Sequence, residues 1–281
     1  MLNYILCIIL IVFLINLYYF LNKSKENFSK IIVSKPKKLK FCICFFGVIS
    51  RSIKYTINSI DKNIYKVLER NNIKYDVYVH NMKIDKILSL QEGEKDIKLS
   101  DECKLLRPTY FRETNQNDFD KTYNWEKNSI YGLVRDNYNL YQNAIRQIYS
   151  VDQVTKMWQE KNINYDYYIY VRPDLLYAKE LDLDLILETM NKDILLTPKW
   201  HKWGGLNDRI YMSNKNIIKN FGNRIKHVDE YVSKNKIKYH PEKFMKYIAI
   251  KFKIKTLDID LIGKRVRSNG KINEKDDIEL K

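Results

Sequence analysis

An arginine and an aspartate follow a strongly apolar stretch of the sequence, and their types and spacing could bind an anionic ligand. Residues 165–177 read YDYYIYVRPDLLY, so that Arg172 and Asp174 flank Pro173. Ligands of open α/β sheets bind just beyond the carboxyl ends of strands. Pro173 cannot donate a hydrogen bond to a neighbouring strand, which indicates that the strand ends or becomes an edge there. The segment alone favours equally a ligand site and a buried strand followed by a solvated ion pair.

A second concentration of functional residue types lies in residues 200–209, which read WHKWGGLNDR. The paired glycines indicate a flexible loop, while Asn207, Asp208 and Arg209 supply an amide, an acid and a cation. The two tryptophans, Trp200 and Trp203, could stack on a sugar ring or on a base. A tight polar turn is the alternative, but the density of functional types in one loop favours a site.

Two further candidates stand near the ends of predicted strands. Gly47 and Arg51 lie between the first strand and the first helix, where a glycine lets the backbone approach a ligand and helix amides favour phosphate. The segment contains neither GxGxxG nor a P-loop, and an ordinary turn fits it equally well. His80, near the end of the second strand, could contact a nucleotide or a hydroxyl, although a lone histidine is more often structural.

The C-terminal third is strongly basic and supplies a weaker candidate. It contains Glu242, followed by Arg265 and Arg267. Residues 215–255 hold twelve Lys and Arg against three Asp and Glu, within a chain of net charge +16. Such a surface favours an anionic partner, such as a nucleotide diphosphate, an anionic lipid or a nucleic acid. Solvation of basic helices explains most of these lysines.

The cysteines do not predict a metal site. No CxxC pair and no Cys/His cluster with zinc spacing occurs among the four cysteines. Cys42 and Cys44 alternate on a predicted strand and therefore point to the same face. Buried free thiols are the interpretation, which weakly favours a reducing environment.

The elements that must position these residues follow from hydrophobic periodicity. Residues 40–47 predict a buried strand, residues 53–71 an amphipathic helix and residues 75–82 a second strand. This order is the βαβ unit of a parallel sheet. The further predictions are a strand near Leu105, helices within 126–162 broken near Ser150, strands over 165–177, 193–197 and 256–267, and helices over 181–190, 213–220 and 240–252.

The N-terminus predicts a membrane anchor. Residues 1–22 carry no charge and are almost entirely apolar. A helix of ~20 residues matches a ~30 Å hydrocarbon core, and no cleavage site of a signal peptide is visible. We expect an uncleaved transmembrane helix that places residues 2–21 in the bilayer. A lysine-rich stalk (23–39), a soluble domain (40–268) and a polar tail (269–281) are predicted to follow.

The order of CFFGVISR, YDVYVH, YVRPDLLY and GGLNDRIYMS resembles a group of glycosyltransferase-like proteins of large DNA viruses and bacterial polysaccharide clusters. The resemblance spans roughly residues 40–267. It implies a GT-A-like α/β fold, with a mixed, mostly parallel sheet flanked by helices. It also implies a nucleotide-sugar donor and a glycan, lipid or protein acceptor. The lysine-rich stalk favours a cytoplasmic domain, against the usual lumenal side of such enzymes, and the side stays open.

In many GT-A enzymes a strand ends in Asp-x-Asp, which holds a divalent metal on the donor diphosphate. Here the corresponding segment reads Arg172-Pro173-Asp174, with a cation in place of the first acid. Two alternatives follow. Arg172 neutralises the diphosphate itself, as a guanidinium does well, or Asp174 binds Mn²⁺ or Mg²⁺ together with a second acid such as Asp208.

The resemblance also assigns roles to the candidate residues. An inverting sugar transfer needs a base for the acceptor hydroxyl, for which Asp208 and Glu242 are the candidates. The expected function is a membrane-anchored glycosyltransferase. The alternative is a non-catalytic, membrane-tethered protein that binds a glycan or nucleotide, and nucleic-acid binding lacks a motif. The residues expected to bind the donor are Gly47, Arg51, His80, Arg172, Asp174, Arg209, Arg265 and Arg267.

Overall fold

A computed structural model describes residues 18, 38–89, 94–98, 102–127, 140–235, 238–274 and 276. The chain divides into two units, Met1–Lys38 and Leu39–Lys281, and the fold described below is that of the second. The predicted anchor and nearly all of the stalk lie outside the described residues, as does the end of the tail. Of the helices in the described ranges, none has the length and apolar character needed to cross a bilayer.

The second unit is built on a seven-stranded sheet. The described strands are β1 (Lys40–Gly47), β2 (Lys74–Lys83), β3 (Lys86–Ser89), β4 (Glu94–Lys98), β5 (Tyr110–Asn115), β6 (Tyr167–Val171), β7 (Leu175–Tyr177), β8 (Ile194–Pro198), β9 (Ile210–Ser213), β10 (Lys255–Ile259) and β11 (Gly263–Arg265). The large sheet has the order β10-β8-β9-β6-β1-β2-β5, and its pairs are parallel except those that β9 makes with β6 and β8. The prediction of an α/β fold with a mixed, mostly parallel sheet is confirmed.

Helices cover both faces of this sheet. They are α1 (Ile53–Ile60), α2 (Lys66–Arg70), α3 (Gln116–Thr122), α4 (Leu140–Lys161), α5 (Leu183–Thr189), α6 (Lys215–Gly222), α7 (Val228–Asn235) and α8 (Pro241–Lys251). A π-helical turn, Asp61–Tyr65, joins α1 to α2. Three of the helices match the predicted helices over 181–190, 213–220 and 240–252. The Asn214 side chain caps α6 by accepting hydrogen bonds from Asn216 N and Ile217 N.

The βαβ unit formed by β1, α1–α2 and β2 is confirmed, with β1 and β2 parallel. Side chains of a strand alternate between the two faces of a sheet. Phe41 and Ile43 therefore enter the hydrophobic core that contains α1 and α2, while Cys42 and Cys44 enter the core that contains α4. The candidate site that these elements position lies at the carboxyl ends of the parallel strands, between the two hydrophobic cores.

The strand predicted over 165–177 stops at Pro173, as that residue indicated, and a second strand follows the proline. Strand β6 ends at Val171, and β7 pairs instead with β11 in a separate two-stranded sheet. The cause is Pro173, which has no backbone donor, together with Asp174, whose carbonyl accepts a hydrogen bond from Val266 N at 2.8 Å. The predicted strand over 256–267 is likewise two strands, β10 and β11.

Two other predicted elements also differ. Helix α4 continues without a break through Ser150, whose hydroxyl accepts a hydrogen bond from Gly47 N at 2.8 Å. The earlier part of the predicted helix, 128–139, lies outside the described residues. Leu105 belongs to a 3₁₀ turn, Cys103–Leu106, which ends at the left-handed Arg107, and the strand follows it as β5.

The prediction of buried free thiols is confirmed for the described cysteines. Cys42, Cys44 and Cys103 are buried and form no disulfide. The Sγ atoms of Cys42 and Cys44 lie 3.6 Å apart on the same face of β1. Burial, with a smaller contribution from Cys44, raises the pKa of the Cys42 thiol well above its usual range, so that this thiol stays protonated.

Candidate functional site

The polar residues converge where the parallel strands of the large sheet end. Val171, the last residue of β6, pairs with Ile210, the first residue of β9. Because β9 runs against its neighbours, the residues just before it lie at the edge where β6 and β1 end. Arg172 N donates to the carbonyl of Arg209 at 3.0 Å, which fixes the two chain segments side by side. The structure therefore brings the Arg-Pro-Asp turn and the Asp208-Arg209 pair together.

Arg172 and Asp174 form a two-pronged ion pair across Pro173. Arg172 Nε donates to Asp174 Oδ1 at 2.8 Å, and its Nη2 donates to Oδ2. Burial raises the pKa of the Asp174 carboxyl, but the Arg172 charge and hydrogen bonds, with the charges of Arg51 and Arg267, outweigh it and hold that pKa well below its usual range. Asp174 is therefore a carboxylate whose two oxygens both face a cation.

Gln147, from the middle of α4, joins the two halves of the site. Its Oε1 accepts from Arg172 Nη1 at 3.3 Å, and its Nε2 donates to Asp208 Oδ2 at 2.8 Å. The amide thus has one acceptor towards the cation and one donor towards the acid. No sequence pattern distinguished Gln147 from the other polar residues of α4, because the contacts that give it a role are supplied by distant segments.

Asp208 and Glu242 are two buried carboxylates, with 6% of each residue exposed. Burial first, and then the negative charge of Asp208, raise the pKa of Glu242, although His240 and Arg209 act in the opposite direction. His240 Nδ1 lies 3.1 Å from Glu242 Oε2. Glu242 stands in the first turn of α8, and its carbonyl accepts a hydrogen bond from Leu206 N at 2.9 Å. The two acids are thereby placed within electrostatic reach of each other.

Arg209 lies beside these acids with 7% of its surface exposed. Its Nη1 contacts His201 Nδ1 at 2.7 Å, and its guanidinium lies 5.5 Å from the centre of the Trp200 ring. Among the described residues, none hydrogen-bonds to the buried Nε of Arg209. Burial, opposed by the charge of Asp208, lowers the pKa of this guanidinium from its ordinary value. It is a poorly solvated cation with a donor still available.

Asn207 explains why the loop before β9 holds its shape. Its Nδ2 donates to the carbonyl of Trp200 at 3.0 Å, and its Oδ1 accepts from Arg209 N at 2.9 Å and from Ile210 N at 3.2 Å. Asn207 is fully buried. It therefore acts on the backbone, and the acid and cation that follow it are presented in fixed positions.

Arg51 reaches the same site from the turn after β1. Its guanidinium donates to Glu94, which is fully buried, and Glu94 Oε1 also accepts from Ser268 N at 2.8 Å. Burial raises the pKa of Glu94, but the hydrogen bonds and charge of Arg51 outweigh it and lower that pKa. The predicted residue Arg51 is thus tied to the C-terminal segment by an acid that the sequence did not point to.

Arg265 is occupied by an intramolecular partner. Its Nε lies 2.8 Å from Asp276 Oδ2, its Nη2 lies 2.7 Å from Asp276 Oδ1, and its Nη2 also donates to Asn273 at 3.1 Å. Asp276 is fully buried. Arg265 therefore organises the C-terminal segment. Arg267, two residues later, is also buried, and its charge lowers the pKa of Asp174.

Gly47 and His80 have clear structural contacts. Gly47 adopts a φ of +101°, which favours glycine, and its amide donates to Ser150 Oγ. His80 is fully buried, with Nδ1 at 2.7 Å from Ser150 Oγ and Nε2 at 3.0 Å from Thr114 Oγ1. Burial and the charge of Arg112 lower the pKa of His80 to about 3. Both ring nitrogens are engaged, so the predicted ligand contact of His80 has no support from this geometry.

The residues around Asp174 do not fit a divalent metal ion. Within the described ranges, no group of three or more His, Cys, Asp and Glu side chains is arranged to hold a metal. Both oxygens of Asp174 face the Arg172 guanidinium, and Asp208 Oδ2 accepts from Gln147. A dication at Asp174 would have to displace the partly buried Arg172 or lie against it, which Coulomb repulsion disfavours.

Comparison with known proteins adds a remote likeness. No protein-family model matches the sequence, and no curated protein matches it. Among solved structures, the chain is similar to the apo form of mouse xyloside xylosyltransferase 1, with a TM-score of 0.41 and 10% sequence identity. The alignment covers 79% of this chain and 86% of that chain.

Proposed function

We propose that this chain is a glycosyltransferase that binds a nucleotide-sugar donor at the carboxyl edge of its sheet. The observation that carries the proposal is the pair of buried carboxylates, Asp208 and Glu242, set beside buried arginines. Sugar transfer needs a base for the acceptor hydroxyl and cations for the departing diphosphate. Both groups are present within one network of hydrogen bonds and charges.

Glu242 is our candidate for the base. A general base works best when its pKa lies near the working pH, and burial together with Asp208 moves the pKa of Glu242 in that direction. In the proposed step the acceptor oxygen forms a bond to the anomeric carbon, its proton passes to Glu242, and the bond from that carbon to the diphosphate oxygen breaks. A single displacement of this kind inverts the anomeric configuration.

Arg209 and Arg267 are our candidates for stabilising the departing diphosphate. Arg51 and Arg172 contribute through their ion pairs with Glu94 and Asp174. Arg209 is the strongest of these because its buried Nε–H has no hydrogen-bond partner in the described part of the chain. A guanidinium matches the geometry of two phosphate oxygens. Arg172 occupies the place at which the resemblance implies a metal-binding acid. We infer that arginine charge substitutes for metal charge on the donor.

The membrane anchor over residues 1–22 and the domain boundaries at 40 and 268 remain part of the proposal. The apolar, uncharged sequence of the first segment supports it. The lysine-rich stalk would then lie at the bilayer surface, where anionic lipid attracts it. The enzyme would act on an acceptor close to that membrane.

The test uses the full chain in detergent. Binding of UDP-, GDP-, CMP- and TDP-sugars is measured by calorimetry, and donor hydrolysis and transfer are measured by mass spectrometry, each with Mn²⁺, with Mg²⁺ and with EDTA. We expect one donor class to bind, with EDTA leaving the affinity unchanged. Asp208→Asn and Glu242→Gln should retain binding and lose turnover, whereas Asp258→Asn, at an exposed acid bound to Lys202, should match wild type.

Two results would count against the proposal in different ways. If wild type binds no donor of the panel, the glycosyltransferase assignment fails. If it binds a donor but neither hydrolyses nor transfers it with any acceptor offered, the non-catalytic binding protein becomes the better description. Loss of binding on addition of EDTA would overturn the role given to Arg172.

A further inference from the structure

The two tryptophans of the loop over 200–209 have opposite environments. Trp200 is 8% exposed, donates its indole N–H to the carbonyl of Leu261 at 2.7 Å, and lies under the Arg209 guanidinium. Trp203 is 51% exposed. The first is therefore part of the support for Arg209, while the second presents a large aromatic face to solvent.

The loop that carries Trp203 contacts the backbone of Glu242. Gly205 N donates to the carbonyl of Lys202 at 2.6 Å, and Leu206 N donates to the carbonyl of Glu242 at 2.9 Å. A Cβ placed on Gly205 would lie 1.9 Å from that carbonyl oxygen of Glu242. The glycine thus lets the loop that carries Trp203 pack directly on the first turn of α8.

The backbone around this indole is strained. His201 and Trp203 both have a φ of +45°, a left-handed conformation that is strained for a non-glycine residue. The His201 ring lies 5.5 Å from the Trp203 ring, tilted by 30°, and His201 Nδ1 contacts Arg209. Such strain persists where surrounding contacts impose it. The loop therefore fixes the exposed indole of Trp203. The His201 ring connects this indole to the Arg209 guanidinium.

The charges of the site form two groups, which Gln147 and Arg209 join. Arg51 and Arg267 act on Asp174, at the ends of β1 and β6, and this group is suited to a diphosphate. Asp208 and Glu242 act on each other, at the start of β9 and of α8, and this group is suited to a hydroxyl that must lose its proton. The loop that carries Trp203 packs on the second group through Gly205 and Leu206, and the Trp203 ring contacts His201, which contacts Arg209.

We infer that Trp203 binds the acceptor and that the acceptor is a glycan, one of whose sugar rings lies on the indole face. The inference rests on the proposed function. A pyranose presents an apolar face of C–H groups that can cover the electron-rich face of an aromatic ring, while its hydroxyls stay in water. A polyprenyl chain offers no such flat, rigid face. The exposed indole, in a loop that packs on the backbone of Glu242, fits the sugar.

The experiment measures glycan binding without donor and then transfer with donor. Methyl β-glucoside, β-galactoside, β-mannoside and β-xyloside are offered to the full chain, and binding is followed by saturation-transfer NMR and by tryptophan fluorescence. Trp203→Ala is compared with Trp203→Phe, which keeps an aromatic face. The matched control is Phe111→Ala, an exposed aromatic residue on β5 at the far edge of the sheet.

We expect Trp203→Ala to raise the acceptor KM about tenfold, equivalent to about 1.4 kcal/mol of binding, with donor affinity unchanged. Trp203→Phe should keep most of the affinity, and Phe111→Ala should match wild type. The inference is overturned if no methyl glycoside binds wild type, or if Trp203→Ala leaves glycoside affinity unchanged. It is also overturned if Trp203→Ala weakens the donor instead, since the indole would then hold the nucleobase. Absence of donor binding would defeat the proposed function and leave the glycoside result to stand.

Discussion

Gln147 shows how a single neutral side chain can order a charged site. Its amide has a fixed polarity, with the oxygen towards Arg172 and the nitrogen towards Asp208. The arrangement makes Asp208 Oδ2 a hydrogen-bond acceptor for the Gln147 amide. One arginine and one acid from different segments are thus kept in register by a residue that carries no charge.

Changing Gln147 to Glu should therefore disturb the site without changing its shape. The new carboxylate would face Asp208 Oδ2 in place of a donor, so we expect the free energy of unfolding to fall by about 1–3 kcal/mol at pH 8. Turnover should fall more than donor affinity. Gln142→Glu adds the same charge to α4 near Arg146 and serves as the control. Equal effects of the two changes in denaturant melts and rate assays would contradict the role of Gln147.

The raised pKa of Glu242 predicts how the stability of the protein depends on pH. Its pKa in the folded state is raised above the unfolded value of about 4.3, so the folded state binds the proton more tightly. The associated stability is fully present below pH ~4.3 and is lost as pH rises through the folded pKa. Glu242→Gln removes this titration, and the variant should therefore gain stability over wild type as pH rises.

The measurement compares the melting temperatures of wild type and Glu242→Gln between pH 4 and pH 8. We expect the difference to grow with pH in favour of Gln, while kcat falls about 100-fold or more. Glu188→Gln, at an exposed acid of α5, controls for loss of a surface charge. A difference that shrinks as pH rises would show that the sign assigned to Glu242 is wrong.

At the residue scale, the sequence predicts Arg172 and Asp174 as candidates because they follow a predicted strand, and Asp208 and Arg209 because they lie in a loop dense in functional residue types. The partners that fix them could not be found in the same way. Glu94 contacts Ser268 across 174 positions of the chain, and Gln147 contacts Asp208 across 61. Such partners are chosen by the fold, and a single sequence contains no local pattern that marks them.

At the scale of elements, the geometry of the loop over 200–209 depends on the close packing of Gly205 against the Glu242 backbone. Its missing side chain leaves room for the carbonyl of Glu242, where a Cβ would stand at 1.9 Å. Gly204, its neighbour, has a φ of +79° but only Lys243 Cε within 4 Å, at 3.6 Å. Two adjacent glycines thus serve different purposes, one steric and one conformational.

Gly205→Ala should push the loop away from the first turn of α8. We expect a loss of about 1–3 kcal/mol in the free energy of unfolding, as for other overpacked positions. Activity should fall as well, since Asp208 and Glu242 would separate. Gly204→Ala, which meets strain without a backbone clash, should cost less in both assays. If Gly204→Ala is the more damaging change in denaturant melts, the close approach at Gly205 is not what holds the loop.

Pro173 shows what periodicity alone cannot resolve at this scale. The apolar run over 165–177 predicts a strand on both sides of the proline, and both parts are indeed strands. Their partners differ, because β6 pairs with β1 and β9 whereas β7 pairs with β11. Side-chain pattern predicts the extended backbone, but pairing depends on which distant donor reaches the Asp174 carbonyl, namely Val266 N.

At the scale of the molecule, the prediction of an α/β fold with a mostly parallel sheet is confirmed, and it rested on β1, which is apolar on both faces, as a strand between two helical layers must be. The reversed direction of β9 was not predicted. It requires knowledge of where β8 and β6 lie, and the loop between β8 and β9 has no signature for an antiparallel return. That reversal brings the residues before β9 to the carboxyl edge of the parallel strands, where Asp208 faces Gln147.

We expect acid to unfold the protein by protonating carboxylates that are paired with arginines in and near the candidate site. Asp174, Glu94 and Asp276 each have a pKa below the usual range because, although burial opposes it, paired arginines favour the charged form. Such groups contribute stability above the unfolded pKa of about 4 that is lost as pH falls through the folded pKa. The free energy of unfolding should decrease steadily below pH ~5.

Denaturant titrations followed by circular dichroism between pH 7 and pH 3 would check this. Removing one pair whole, with Arg172→Gln and Asp174→Asn combined, should flatten the pH dependence without leaving a buried charge alone. Asp118→Asn, at an exposed acid in α3, should leave the slope as in wild type. A slope that is the same in the double variant would exclude the Arg172–Asp174 pair as a source of acid sensitivity.

The backbone contact between Gly205 and Glu242 also has a consequence for cooperativity. If the loop and the first turn of α8 move as one body, a sugar that settles on the loop alters the surroundings of the Glu242 carboxyl. Binding of sugar and binding of a proton are then thermodynamically linked, and each changes the affinity for the other by the same factor. The acceptor would in effect adjust the base that is to deprotonate it, and proton release or uptake on sugar binding would report the coupling free energy directly.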